Sequence, residues 1–186
     1  MALFIFEDKG KEMNQEIGLF YGSTTGMTED VAFSIERIAQ EKHGITLTPI
    51  NIIDLDNPND MFAYNRLILG IPTWNYGEYQ DDWEIVVEQI SNADLKGKVI
   101  AMFGLGDQVG YPEYYLDAMG MLADQLRAQG ASFIGQWSIE GYNFESSKAL
   151  QGQHFIGLAL DEDSEPEKTS ERLEQWLAQV LPQLMA

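Results

Sequence analysis

The chain has 186 residues, 45% hydrophobic and 22% charged, a balance that suits one soluble globular domain and excludes a disordered chain. Thirty acidic against eleven basic residues give a net charge of −19 at pH 7, so nucleic acid and anionic membrane surfaces would be repelled, and any partner is expected to offer a basic face. There is no cysteine, which excludes disulfides, iron–sulfur ligation, thiolate metal sites and cysteine nucleophiles.

No apolar run approaches the ~18–20 residues needed to cross a bilayer. Met1–Phe6 is apolar but short, and it runs straight into Glu7-Asp8 without a basic lead. A secretory leader is not expected, and the expected location is the cytoplasm. Residues 1–16 stand outside the strand–helix rhythm of the remaining chain and read as an N-terminal extension, with one domain spanning 17–186.

Ile17–Tyr21 reads as a buried strand and Gly22-Ser23-Thr24-Thr25-Gly26 as a turn. From Thr28, the apolar residues Val31, Ala32, Ile35, Ile38 and Ala39 recur at helical spacing. Ile45–Asn51 alternates like a second strand; Arg66–Ile71 is a third, stopped by Pro72. Trp83–Ile90 is helical, with Trp83 facing the core. Lys98–Phe103 is a fourth strand ending in Gly104. Leu116–Gln129 is a helix closed by Gly130, Ser132–Trp137 a fifth strand, and a last helix carrying Trp176 on its core face runs from about Ser170 to Leu184. Strands alternating with helices give an α/β, doubly wound, five-stranded parallel sheet, with its ligand beyond the carboxyl ends of the strands. Residues 138–157 also depart from this rhythm.

The turn after the first strand continues as Gly26-Met27-Thr28, and residues 21–30 contain no Lys or Arg. Unpaired N–H groups at a helix start suit a phosphate, and the hydroxyls of Ser23, Thr24, Thr25 and Thr28 can donate to its oxygens. The lysine of a G-x-x-x-x-G-K-[ST] loop and the spacing of a G-x-G-x-x-G turn are both absent. A loop of this kind points to a terminal monophosphate held by dipoles; the plain alternative is a capped turn. Two further loops leave the same edge, Pro72-Thr73-Trp74-Asn75-Tyr76-Gly77-Glu78 and Gly104-Leu105-Gly106-Asp107-Gln108-Val109-Gly110-Tyr111. Trp74 and Tyr111 are candidates to sandwich a flat ring, each stack contributing ~1 kcal/mol. The plain alternative makes Trp74 a core cap and Tyr111 a surface residue.

Together, Phe20–Glu29, Pro72–Glu78 and Gly104–Tyr111 resemble flavodoxin. Trp137–Phe144, Ser147–Leu150 and Phe155–Asp163 resemble its long-chain branch. The resemblance implies a sheet in the order 2-1-3-4-5, the fold for which flavodoxin with FMN at the β1/β3 switch point is a standard example. It also implies an insertion, residues 138–157, splitting the fifth strand. The implied cofactor is one FMN, with Ser23, Thr24, Thr25, Gly26, Met27 and Thr28 at its phosphate. Trp74 would cover one ring face and Tyr111 the other. Main-chain groups of Asn75, Tyr76, Gly106 and Asp107 would meet the pyrimidine edge and N5, with Thr73, Gly77, Gly104 and Leu105 completing the loops. Met27 stands where the family often has a Lys. Tyr76 follows Asn75 where the family reorients a peptide on reduction, and a bulky residue there raises the cost of that flip.

Apart from Arg66, the charged residues from Asp54 to Asp94 are nine carboxylates, and Asp161-Glu162-Asp163 with Glu165 and Glu167 form a second acidic group. One unit charge about 10 Å from a reduced flavin anion, at an effective dielectric of about 20, opposes it by ~1.7 kcal/mol, or roughly 70 mV. The expectation is a low-potential one-electron carrier cycling between semiquinone and hydroquinone, not an enzyme, and a monomer. It would be steered to basic redox proteins such as a ferredoxin/flavodoxin–NADP reductase. His43 and His154 have no nearby ligand spacing, so no metal site is expected, and Asp81-Asp82 reads as a solvated face. No catalytic residue is assigned. An FMN-dependent quinone reductase is the alternative within the same fold; a receiver domain would need acidic residues where Gly22-Ser23-Thr24-Thr25 stand.

Overall fold

The computed structural model describes residues 16–186. Strand β1 (Ile17–Tyr21) is buried at every position, as a strand covered on both faces must be. Helix α1 (Met27–His43) comes next, burying the apolar positions read from the sequence, and Lys42 and His43 sit in its last turn, where cations suit the helix dipole. After it stand β2 (Pro49–Asn51), two 3₁₀ turns (Ile52–Asp54 and Pro58–Ala63), β3 (Arg66–Trp74) and the two-residue β4 (Glu78–Tyr79). Helix α2 (Asp81–Gln89), β5 (Val99–Leu105), a 3₁₀ turn (Pro112–Tyr114), α3 (Asp117–Ala128) and β6 (Ser132–Ile134) complete the regular part. Then come β7 (Trp137–Ser138), β8 (Leu150–Gln151), β9 (His154–Phe155), β10 (Leu158–Leu160), a 3₁₀ turn (Pro166–Lys168) and α4 (Thr169–Leu184).

The main sheet runs β2-β1-β3-β5-β10 with parallel neighbours. This is the expected order, although among the described residues the sheet has seven strands rather than five. The antiparallel β4 hangs on the end of β3. The outer edge of β5 is shared: β6 pairs with Val99–Ala101 and β10 with Phe103–Leu105. Strands β7, β9 and β8 form a separate antiparallel sheet. Alternate residues of each central strand point to opposite layers. On one side Leu19, Ile68 and Phe103 pack under α1 and α4; on the other Phe20, Leu69 and Met102 pack under α2 and α3. Trp83 and Trp176 are fully buried, one in each layer, as expected.

Three boundaries differ from the sequence reading. The second strand is ladder-bonded only over Pro49–Asn51, not from Ile45. Leu47 is buried, so the alternation was a true sign of facing, but Pro49 has no N–H to carry the ladder back. The third strand is not stopped by Pro72, which pairs with Leu105. The Gly70 carbonyl accepts from Gly22 N–H on the β1 side, and residue 72 faces that same side, beyond the last β1 pair at Gly70. The ring therefore costs no ladder bond. The fifth strand ends at Ile134, and Trp137 belongs to the small sheet, paired with Phe155.

Candidate functional site

A cleft of about 360 Å³ opens beyond the carboxyl ends of β1, β3 and β5, a volume suited to a small organic ligand. Its first wall is the loop from β1 to α1: Ser23, Thr24, Thr25, Met27 and Thr28. Gly26 is the N-cap of α1, at φ 90°, and no side chain caps this helix start; the first intrahelical bond described is Asp30 N–H to Gly26 C=O. The N–H groups of the first turn thus remain for a ligand. Ser23 Oγ accepts from Gly26 N–H at 3.1 Å, and Thr24 Oγ1 accepts from Gln80 Nε2 at 3.0 Å. Both hydroxyls accept from the protein, which leaves their hydrogens to donate outward. Thr28 is buried at the foot of this wall.

The second wall is the end of β3 and its loop: Pro72, Thr73, Trp74 and Asn75. A three-residue hairpin loop joins β3 to β4, with Gly77 N–H bonded to Trp74 C=O at 3.1 Å. Asn75 adopts a left-handed φ of 46°, which Asn tolerates better than most residues, and its side chain donates to Glu78 at 2.7 Å. Thr73 Oγ1 accepts from Ala118 N–H, tying this wall to the start of α3.

The third wall is the end of β5 and its loop, with Leu105, Gly106, Asp107 and Tyr111. Asp107 turns its carboxylate back on its own loop, accepting from Val109 and Gly110 N–H at 3.0 and 2.6 Å. Its carbonyl accepts from Tyr111 N–H. The next residue, Gln108, is buried; its N–H donates to Asp161 and its Oε1 accepts from Asn143 N–H, which anchors the loop to the segments around residues 143 and 161.

Twelve of the sixteen residues singled out from the sequence therefore line one cleft. Gly26, Tyr76, Gly77 and Gly104 do not. Gly104 lies inside β5, packed on Met119 and Leu116, while Gly77 is buried against Asp117. Tyr76 is 71% exposed on the outer rim, edge-on to Tyr111 and Tyr114 at 6.3 and 5.8 Å between ring centroids.

The sequence reading missed Tyr114, Tyr115, Glu162 and Asp163 as lining residues, and placed Pro72 only as the start of its loop. Tyr115 is fully buried, and burial pushes its hydroxyl far above the ordinary tyrosine value, with Tyr142 and Asp161 adding to the rise. Burial also raises Glu162, against a bond from Thr169, with Asp161, Asp163 and Asp30 adding to the rise. Asp163 is raised by burial and by Asp107 and Asp161. Their acidity was visible in the sequence; their position was not, because it depends on β10 lying beside the upper half of β5.

Among the described residues no lysine or arginine lines the cleft. Phosphate would be met by hydroxyls and backbone N–H groups at one end, and a flat ring by Trp74 and Tyr111 at the other. This donor set fits a flavin mononucleotide, and the acidic rim after β10 disfavours further phosphates.

A doubly wound parallel sheet with a monophosphate-type loop after its first strand defines a mononucleotide-binding α/β protein. This chain belongs to the flavodoxin family, whose model matches residues 19–176. It is 46% identical over 170 residues to flavodoxin 2 of Escherichia coli, covering 90% of this chain and 96% of that one. It is 44% identical over 165 residues to a flavodoxin of Synechococcus elongatus, covering 89% and 95%. Among solved structures, it resembles a Fusobacterium nucleatum flavodoxin bound to flavin mononucleotide, with a TM-score of 0.83 and 27% identity over 90% of this chain and 98% of that one.

Proposed function

We propose that this protein is a low-potential one-electron carrier that holds one FMN non-covalently in the cleft and shuttles electrons between redox proteins. The observation that carries the reading is the meeting in one cleft of a cation-free hydroxyl loop at the start of α1 with aromatic residues from the ends of β3 and β5. Bound there, FMN supplies one-electron chemistry. Ser23–Thr28 hold the phosphate through hydroxyls and first-turn N–H groups, with no cation to tighten the grip. Trp74 and Tyr111 cover the ring and keep water from it. Main-chain groups of Asn75, Tyr76, Gly106 and Asp107 meet its polar edge. The carboxylates of Glu162 and Asp163 add negative potential, which opposes a second electron and lowers the second potential.

The protein has no substrate of its own in this reading and works as a monomer in the cytoplasm. Among the described residues no helix is long and apolar enough to cross a membrane. Its partners are redox proteins with basic faces, such as a ferredoxin/flavodoxin–NADP reductase, drawn by the −19 charge. Residues 17–186 form the FMN-binding domain, and 138–157 are an insertion within the fifth strand position. The test is to titrate the cofactor-free protein with FMN and follow flavin fluorescence. Stoichiometric quenching at one FMN per chain supports the reading, and no quenching would sink it.

A further inference from the structure

Gln80 lies outside the cleft lining and has no part in holding FMN as proposed, yet it is 1% exposed and sits beneath the phosphate loop. Its Oε1 accepts from Trp83 N–H at 3.3 Å as the N-cap of α2. Its Nε2 donates to Asp82 Oδ2 at 2.8 Å and to Thr24 Oγ1 at 3.0 Å. The amide cannot be turned round. An N–H on one side must meet its oxygen, and a carboxylate on the other must meet its nitrogen. The loop backbone also holds it down: a Cβ on Gly22 would stand 2.7 Å from Gln80 Oε1 and 2.6 Å from Trp83 Cδ1.

We infer that Gln80 is a positioning residue that fixes the polarity of the Thr24 hydroxyl. Because the amide occupies a lone pair of Thr24 Oγ1, the hydroxyl hydrogen is directed away from the protein, where it donates to a phosphate oxygen. With no lysine or arginine among the described residues that line the cleft, phosphate affinity rests on such donors, so a residue that aims one of them sets selectivity for FMN over the unphosphorylated flavin. The inference rests on the proposed FMN site and adds the residue that tunes its phosphate grip.

The test compares FMN and riboflavin affinities of the cofactor-free protein for wild type and, in an Asp82→Asn background, for Gln80→Glu, Thr24→Val and the two together. Without the Asp82 carboxylate 2.8 Å away, Gln80→Glu keeps an acceptor for Trp83 N–H, so α2 stays capped, but its carboxylate now takes the Thr24 hydrogen. The expected result is a loss in FMN affinity of about tenfold or more, with riboflavin affinity unchanged. In the Thr24→Val background most of that loss disappears, and the ³¹P resonance of bound FMN shifts in Gln80→Glu. Equal weakening of FMN and riboflavin would reduce Gln80 to a helix cap and overturn the inference. A loss that persists in full with Thr24→Val would assign it to added charge and also overturn it. Failure of the wild type to bind FMN would instead remove the reading on which it rests.

Discussion

Gly77→Ala should damage the protein through a contact that can be separated from backbone strain. Gly77 closes the β3–β4 hairpin at φ 87°, where an alanine costs about 1–2 kcal/mol. Its added Cβ would also stand 2.8 Å from Asp117 Oδ2 and 3.1 Å from Asp117 Cβ. Asp117 cannot swing away cheaply. It is 3% exposed, accepts from Lys148 N–H at 2.8 Å, and has the Lys148 ammonium 3.3 Å from its other oxygen. Overpacking at so pinned a site adds about 1–3 kcal/mol. Gly141 supplies the control: it has the same φ of 87°, and its Cβ would meet none of the described residues within 4 Å. Urea unfolding of the cofactor-free variants should therefore show Gly77→Ala about 1–3 kcal/mol less stable than Gly141→Ala. FMN affinity should fall in Gly77→Ala alone, since the hairpin that carries Trp74 and Asn75 must shift. Equal losses in stability for the two variants would refute the packing argument.

The acidic groups give two further expected outcomes. Burial and the carboxylates of Asp107 and Asp161 raise Asp163 above its ordinary 3.8, so the folded chain binds that proton more tightly than the unfolded one and stability falls as pH rises through the interval between the two values. Asp163→Asn should thus stabilise the cofactor-free protein at neutral pH, with the gain vanishing in acid, where the wild-type carboxyl is protonated in both states; pH-dependent urea unfolding checks both. Electron transfer to a basic-faced reductase should slow as ionic strength rises from about 0.01 to 0.15 M, because the Debye length shrinks from ~30 to ~8 Å. Stopped-flow rates independent of salt would remove the steering argument.

The alternation of strands and helices was legible because β1, β3 and β5 are unbroken apolar runs and α1 keeps a clear helical stripe from Val31 to Ala39; the order of the strands came only from the resemblance to flavodoxin. The three loops were legible because glycines, hydroxyls and aromatic residues replace those runs at a common edge. The features that escaped the sequence are set by distant partners. Pro72 lies within a strand only because β1 has already ended beside it. Glu162 and Asp163 reach the cleft through the pairing of β10 with β5, and Tyr114 and Tyr115 through a 3₁₀ turn at Pro112–Tyr114 that no periodicity announces. Gln80 escaped for a related reason: its role lies in a bond to Thr24, fifty-six residues away. Residues 1–15 of the expected N-terminal extension lie outside the described residues.

The most direct measurement is an absorbance spectrum of the FMN-loaded protein through stepwise anaerobic reduction. The account requires a yellow protein that is reduced in two separate one-electron steps, the second at a potential well below that of free FMN. A single two-electron bleaching near the free-flavin potential would contradict it and favour an FMN-dependent reductase.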